Sequence, residues 1–237
     1  METPTTPSVT DAQIDEQIAY YANRAAEYED WWNRRGQFDR GPEENARWEA
    51  EAAEALAALE SLELGADALE LAPGTGTWTV HVAPRVERLT LVDGAQEMLD
   101  HNPVVGRDGV TALVADIFTW DTDDRFDSVV FTFWISHVPA ERLARFFRDV
   151  ARWLRPGGTV FFVDDAPAAT ADSHVAGTSG QLMVRRLGDG REATIVKNFF
   201  SPAELVAAAD AAGIDLDVRA TRQYFQYGTG TRRPETA

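Results

Sequence analysis

Leu69-Glu70-Leu71-Ala72-Pro73-Gly74-Thr75-Gly76-Thr77-Trp78 is the stretch that decides the fold. A short apolar run ends in an acidic residue and opens into two glycines separated by one position. A strand running into such a turn brings bare backbone N–H groups and the start of a helix against a ligand that carries negative charge. A dinucleotide-binding turn needs a third glycine or alanine where helix meets strand, and Thr79 occupies that position, which weakens the nicotinamide reading. An ordinary glycine turn in an α/β protein is the other alternative.

Working outward, Val86 to Val92 reads as a second apolar strand closing on Asp93, 17 residues beyond Gly76. Ala112 to Ala115 forms a third, ending in Asp116-Ile117. A fourth, Ser128 to Phe133, follows Phe126-Asp127, and Leu154-Arg155-Pro156-Gly157-Gly158 turns into a fifth, Thr159 to Val163. Glu70-x-x-x-Gly74-x-Gly76, with carboxylates at the ends of the next two strands, resembles class I S-adenosylmethionine (SAM)-dependent methyltransferases. The resemblance implies a Rossmann-like α/β fold, with a seven-stranded, mostly parallel sheet and helices on both faces. It implies SAM as cofactor and S-adenosylhomocysteine as product. Asp93 becomes the candidate for the ribose hydroxyls, Asp116 for the adenine amino group, and Ile117 and Met98 for the two faces of the ring. Glu70, Gly74, Gly76, Trp78 and Phe133 complete the expected cofactor set.

At 237 residues, with 44% hydrophobic and 26% charged side chains, the chain has the length and composition to bury one sizeable core. The expectation is one methyltransferase domain over residues 1–237, with an N-terminal helical cap at 1–64 and the core at 65–227. A formal charge of −17 argues against nucleic acid or an anionic membrane as a partner. Without cysteine, and with four scattered histidines, no metal site is expected. Met1 to Val9 has neither a basic flank nor an apolar stretch of signal-peptide length, so a cytoplasmic protein acting on a small molecule is expected, of unassigned oligomeric state.

Thr10-Asp11-Ala12-Gln13 has the form of a capping box opening a helix with Ile14, Ile18 and Tyr21 on one face. Trp31, Trp32 and Phe38 lie in an aromatic-rich stretch broken by Gly36 and Gly41, read either as a loop closing over the site or as packing of the N-terminal helix. Pro42 to Leu64 reads as a helix ended by Gly65, its acidic residues forming a solvated face. Pro139 to Leu154 carries core residues at helical spacing. Ala166 to Gly180 reads as a small-residue loop. Met183 to Leu187 and Arg191 to Phe199 flank Gly188-Asp189-Gly190 as an inserted hairpin would. Ser201-Pro202-Ala203-Glu204 caps a helix to Ala212, Ile214 to Ala220 and Gln223 to Tyr227 complete the sheet, and the tail from Gly228 is expected to fray.

Four segments are also similar to a narrower group of small bacterial methyltransferases that includes the phosphonate O-methyltransferase of dehydrophos biosynthesis. They are Tyr20-Tyr21-x-x-Arg24-Ala25-x-Glu27-Tyr28, Leu69 to Thr79, Trp134-x-x-His137-Val138-Pro139, and Val184-Arg185-Arg186 through Asp189-Gly190-Arg191 to Ile195-Val196-Lys197. The stretch from Trp31 to Leu64 is expanded relative to that enzyme.

The resemblance implies in-line methyl transfer to a small, acidic natural-product intermediate, a phosphonate or carboxylate. N-methylation of an amine or amino acid, or a cyclase or noncatalytic role on the same fold, stay as alternatives. His137 is the candidate general base, or an orienting imidazole if the acceptor is already ionised. Tyr21, Tyr28 and Trp134 offer electron-rich faces or hydroxyls near the sulfonium, Tyr28 in the reaction centre with His137, Tyr21 on the cofactor side and Trp134 beside the acceptor, with core packing as the competing role. Arg24 pairs with the cofactor's carboxylate or forms a surface salt bridge. Lys197 is the only lysine in the chain. With Arg185 and Arg191 it forms a cationic group that either holds an acidic acceptor or is solvated, and the even spacing of Arg191 and Lys197 places them on one face of a hairpin.

Overall fold

The computed structural model describes residues 8–167, 180–187 and 189–234. Helices α1 (Asp11–Arg24), α2 (Tyr28–Trp32) and α3 (Pro42–Glu60) precede the sheet. Strands β1 (Asp67–Leu71), β2 (Arg88–Asp93), β3 (Val110–Val114) and β4 (Phe126–Thr132) follow, with the short helices α4 (Thr79–Val82) after β1 and α5 (Gln96–Asp100) after β2. Helix α6 (Leu143–Trp153) leads into β5 (Leu154–Asp165). The hairpin β6 (Leu182–Arg186) and β7 (Glu192–Val196) comes next, then α7 (Pro202–Ala211), β8 (Ile214–Ala220) and β9 (Phe225–Arg232). Seven strands pair in the order β3-β2-β1-β4-β5-β9-β8, parallel except where β9 runs antiparallel to β5 and β8.

Strand alternation sends side chains to two apolar layers. Val129, Phe131 and Phe162 pack with Phe147 and Val150 of α6 and Leu205 of α7. Val130, Phe161 and Val163 pack instead with Trp48, Ala55 and Leu59 of α3. Thr10 caps α1 through the reciprocal box with Gln13 that its sequence predicts, and Ser201 does the same for α7 with Glu204. The hairpin forms a separate two-stranded sheet, tied to α1 where the backbone N–H groups of Thr194 and Val196 donate to Glu16 and Gln17.

Five expectations change. Trp31 and Trp32 lie on α2 rather than in a loop, and Trp32 meets Trp48, Trp78 and Phe133 edge-on, with ring centroids 5.6–5.8 Å apart. Helix α3 ends at Glu60, and its acidic face is not all solvated. Glu51 is buried, and one carboxylate oxygen accepts from the Thr221 hydroxyl and from the N–H groups of Gln223 and Tyr224, at 3.0 and 2.8 Å for the last two. The tail from Gly228 does not fray, because it continues β9 through Arg232 between β5 and β8. At Gly228 a Cβ would collide with the Phe162 ring, so the glycine admits close packing instead of breaking the strand. The core therefore extends past residue 227. Of the expected loop from Ala166 to Gly180, residues 168–179 lie outside the described residues, as does Gly188 of the hairpin turn.

Candidate active site

Parallel strands direct their C-terminal ends to one edge, and the turns after β1, β2 and β3 meet there. Ala72 takes φ +50° and Gly74 φ +57°, so the chain leaves β1 sharply. The Gly74 N–H donates to Asp93 Oδ2 at 3.1 Å, and the Ala95 N–H donates to Oδ1 at 2.9 Å. Behind the turn, Asn102 Nδ2 donates to Thr79 Oγ1 at 3.1 Å, and that hydroxyl donates to Glu70 Oε1, also at 3.1 Å. Gly76, at φ +89°, leaves no room for a Cβ against Asn102 and Pro103. No neighbour lies within 4 Å of where a Cβ of Gly74 would stand.

The cleft in front holds about 600 Å³ of space, its mouth included. Gly74, Asp93, Met98, Asp116, Ile117 and Phe133, six of the residues expected at the cofactor, line it together with Tyr21, Tyr28, Trp134 and His137. Sequence reasoning missed Gln17, Ala95 and Thr132. Gln17 lies one turn before Tyr21 on the apolar stripe of α1, which was the available signal. Burial raises the Asp93 carboxyl to about 6 against the opposing pull of its backbone donors. Burial also raises Glu70 to about 8, with repulsion from Asp93 adding to it and the hydrogen bond donated by the Thr79 hydroxyl opposing it.

Glu70, Gly76 and Trp78 correct their expected role. They do not line the cleft but support it from behind, Glu70 through Thr79, Gly76 against Asn102, and Trp78 in the aromatic layer with Trp32 and Phe161.

A second chamber of about 960 Å³, mouth included, shares Tyr21, Tyr28, Phe133 and His137 with the first. Its cations are Arg24, Arg185, Arg186 and Lys197, and its carboxylates are Glu27 and Asp165. Arg24 therefore sits here and not in the cofactor cleft. Its guanidinium lies 5.3–5.8 Å from the ring centres of Tyr20, Tyr28 and Phe38. Trp134, expected beside the acceptor, instead lines the first cleft.

Arg191 is outside both chambers. Its guanidinium pairs with Asp189 at 2.7 Å and Asn23 at 3.0 Å at the hairpin turn. The parity argument fails because β7 spans only Glu192–Val196, which leaves Arg191 and Lys197 beyond its two ends. Lys197 does line the second chamber, but its amine is committed. It lies 2.7 Å from Asp165 Oδ2 and 3.6 Å from Asp164 Oδ1, and donates to Ser136 Oγ at 2.8 Å. Asp164 is fully buried, so burial raises its carboxyl despite the nearby Lys197 cation. Among the described residues no carboxylate pairs with Arg24 or Arg185.

Between the chambers His137 is buried with both nitrogens occupied. Nδ1 lies 2.7 Å from the Val196 carbonyl oxygen, which can only accept, so Nδ1 carries the proton and Nε2 accepts from the Tyr21 hydroxyl at 2.7 Å. Burial, with Lys197 adding repulsion, holds the imidazole well below its ordinary pKa, and burial pushes the Tyr21 phenol up. His137 is neutral and its basic nitrogen is capped.

A family profile described as a methyltransferase domain matches residues 68–158. The chain is 32% identical to a solved DhpI–SAH complex, with TM-score 0.79, the match covering 96% of this chain and 100% of that one. The chain belongs to the class I SAM-dependent methyltransferases. A DhpI–SAM–HEP complex matches at 33% identity with TM-score 0.78 over the same shares. The N-methyltransferase NodS from Bradyrhizobium japonicum, in complex with SAH, shares the fold at 16% identity and TM-score 0.61, covering 93% of this chain and 100% of its own. No curated protein sequence is significantly similar to this methyltransferase. Among its described residues no helix is long and apolar enough to cross a membrane, and no group of side chains is arranged to hold a metal ion.

Proposed function

We propose that this methyltransferase transfers the methyl group of SAM to an oxygen of a small acidic acceptor. The observation that carries the reading is the charge of the second chamber, four cations against two carboxylates in a chain of net charge −17, with Arg24 and Arg185 unpaired among the described residues. Adjacent cations act on an acceptor at full strength, whereas surface charge beyond ~8 Å is screened at physiological salt.

The first cleft fits SAM by its donor set. Asp93 presents a carboxylate toward ribose hydroxyls, Met98 and Ile117 supply apolar walls for a flat ring with Asp116 at its edge, and Gly74 leaves space for close approach. Bound SAM would supply a methyl on a positively charged sulfur, so that an acceptor oxygen forming its bond to the methyl carbon in line would break the sulfur–methyl bond and release S-adenosylhomocysteine. The protein's part is alignment and exclusion of water. Tyr21 and Tyr28, shared by both chambers, stand where the two ligands meet. An ionised acceptor needs no base, which agrees with an imidazole whose Nε2 is already engaged. We assign His137 the positioning of Tyr21 rather than proton abstraction, and Arg185 rather than Lys197 or Arg191 the grip on the anion.

The test is product mass spectrometry with labelled SAM and a panel of phosphonates, carboxylates, phenols and amines. Acids should be methylated on oxygen. Arg185→Met should raise KM for them roughly tenfold or more, since a hydrogen bond to a charged group is worth ~1.5–3 kcal/mol, and SAM affinity should hold. Equal KM in Arg185→Met and the wild type defeats the anion role. Glu27, which lines the same chamber without a cation partner among the described residues, favours one second reading, N-methylation of an amino acid. A product methylated on nitrogen would establish it.

A further inference from the structure

The acceptor site carries more than charge. Beyond the residues shared with the cofactor cleft, the second chamber is walled by Tyr20, Trp31, Phe38 and Leu187. These come from α1, α2, the turn after α2 and the end of β6. Trp31 and Phe38 are partly buried, and Phe38 is so although its neighbours Gln37 and Asp39 are exposed. Trp31 is held at its inner side by Phe133, at 5.1 Å, and Trp48, at 5.3 Å, and it reaches Tyr28 at 5.9 Å. Phe38 touches the Arg24 guanidinium. Trp31, held by its neighbours, and Phe38 thus give the chamber an apolar wall, with the Arg24 guanidinium near Phe38 and Arg185 among the chamber's cations.

A two-carbon acid would engage the cations and leave that wall in water. Rings covered by a ligand gain in proportion to the apolar area removed from water, and flat ligands add edge or offset stacking. An arginine within cation–π reach of rings still has N–H groups to donate to a carboxylate or phosphonate. The chamber is therefore matched to an anion at one end and a planar apolar body at the other.

We infer that the acceptor is an acid bearing an aryl or comparably flat apolar group, recognised by Arg24 and Arg185 at its anionic end and by Trp31 and Phe38 along its body. This rests on the acidic-acceptor reading above.

The experiment is calorimetric binding to the protein saturated with S-adenosylhomocysteine. Phenylacetate is compared with acetate, benzylphosphonate with methylphosphonate, and benzyl alcohol with ethanol. Each aryl acid should bind at least tenfold tighter than its methyl counterpart and tighter than benzyl alcohol. Phe38→Ala should narrow the aryl-to-methyl ratio threefold or more, with SAM affinity held within twofold. Phe38→Leu, which keeps apolar volume without a ring, should narrow it less. Aryl and methyl acids binding within threefold of each other in the wild type overturn the inference and leave the acidic reading standing. Benzyl alcohol binding as tightly as phenylacetate and benzylphosphonate overturns the acidic reading instead.

Discussion

The first cleft and the second chamber share a wall and have opposite electrostatics. Asp93 in the cleft and Glu70 behind it are buried carboxyl groups supported by backbone N–H groups and a hydroxyl, with no cation beside them, and both are raised by burial. In the chamber, four cations outnumber two carboxylates. Only Lys197 is neutralised within the chamber, by Asp165, while Arg186 pairs outward with Glu192 at 2.7 Å. In the first region Asp93 faces the open cleft with no cation beside it, whereas in the second the one buried cation is consumed by the fold and Arg24 and Arg185 are left over among the described residues. Charge density alone does not identify a binding residue; the partner already in place decides.

Lys197→Met tests that distinction most severely. If its charge is structural, removing it strands the fully buried Asp164 and leaves Asp165 unpaired in the chamber wall, and breaking a buried pair in this way costs ~3–5 kcal/mol. Thermal denaturation should show a drop in Tm of many degrees. An unchanged Tm with a raised KM for acids would return Lys197 to the acceptor.

Glu70→Gln probes the cleft from the other side. A carboxyl raised to about 8 contributes stability that is complete below its unfolded pKa and is lost as pH rises through about 8. Ligand-free wild type should therefore weaken between pH 5 and 9. Glu70→Gln should remove that decline and be more stable at pH 9 by a few kcal/mol, on a scale of ~1.4 kcal/mol per pKa unit. Parallel pH curves for the two proteins would show that Glu70 is ionised throughout.

For Asp93→Ala, loss of hydrogen bonds to a charged acceptor worth ~1.5–3 kcal/mol each predicts SAM binding weaker by roughly ten- to a hundredfold. In the wild type the same affinity should fall as pH drops through about 6, where Asp93 gains a proton. Calorimetry at pH 5 and 7.5 measures both, and equal affinity in Asp93→Ala at pH 7.5 would remove Asp93 from the cofactor site.

Tyr21→Phe should have the smallest effect on stability, ~1–3 kcal/mol for leaving the buried His137 Nε2 without its donor, but should lower kcat more than it raises KM for the acceptor. His137→Gln should follow the same pattern, with no new inflection in its pH–rate profile near neutrality. Loss of a wild-type inflection between pH 6 and 8 in His137→Gln would make His137 a base after all.

Gly74, Asp93, Asp116 and Ile117 were legible because each sits at a strand end, where local sequence determines both strand and turn, and parallel strand pairing then carries every end to the same edge. Helices α1 and α7 were legible for a similar reason, since their capping boxes close over three residues. Errors arose where a residue's partner is remote. Glu51 reads as a solvated helix position until Thr221, 170 residues away, supplies its hydroxyl. Gly228 reads as a breaker until Phe162 packs over it. Arg24 reads as a cofactor contact from its helical spacing, but the rotation of α1 against the hairpin turns it into the second chamber.

By itself, then, the sequence determined the order of the strands, the glycine turn, the carboxylates at the strand ends and the family they belong to, because each of these depends on contacts within a few residues or on a regular period. Only the tertiary structure decided which cations are unpaired, that the basic nitrogen of His137 is capped by Tyr21, and that aromatic rings from α2 and the turn after it wall the acceptor chamber. Those outcomes depend on which distant groups share a buried volume, and desolvation there obliges each polar atom to take the nearest partner that packing provides.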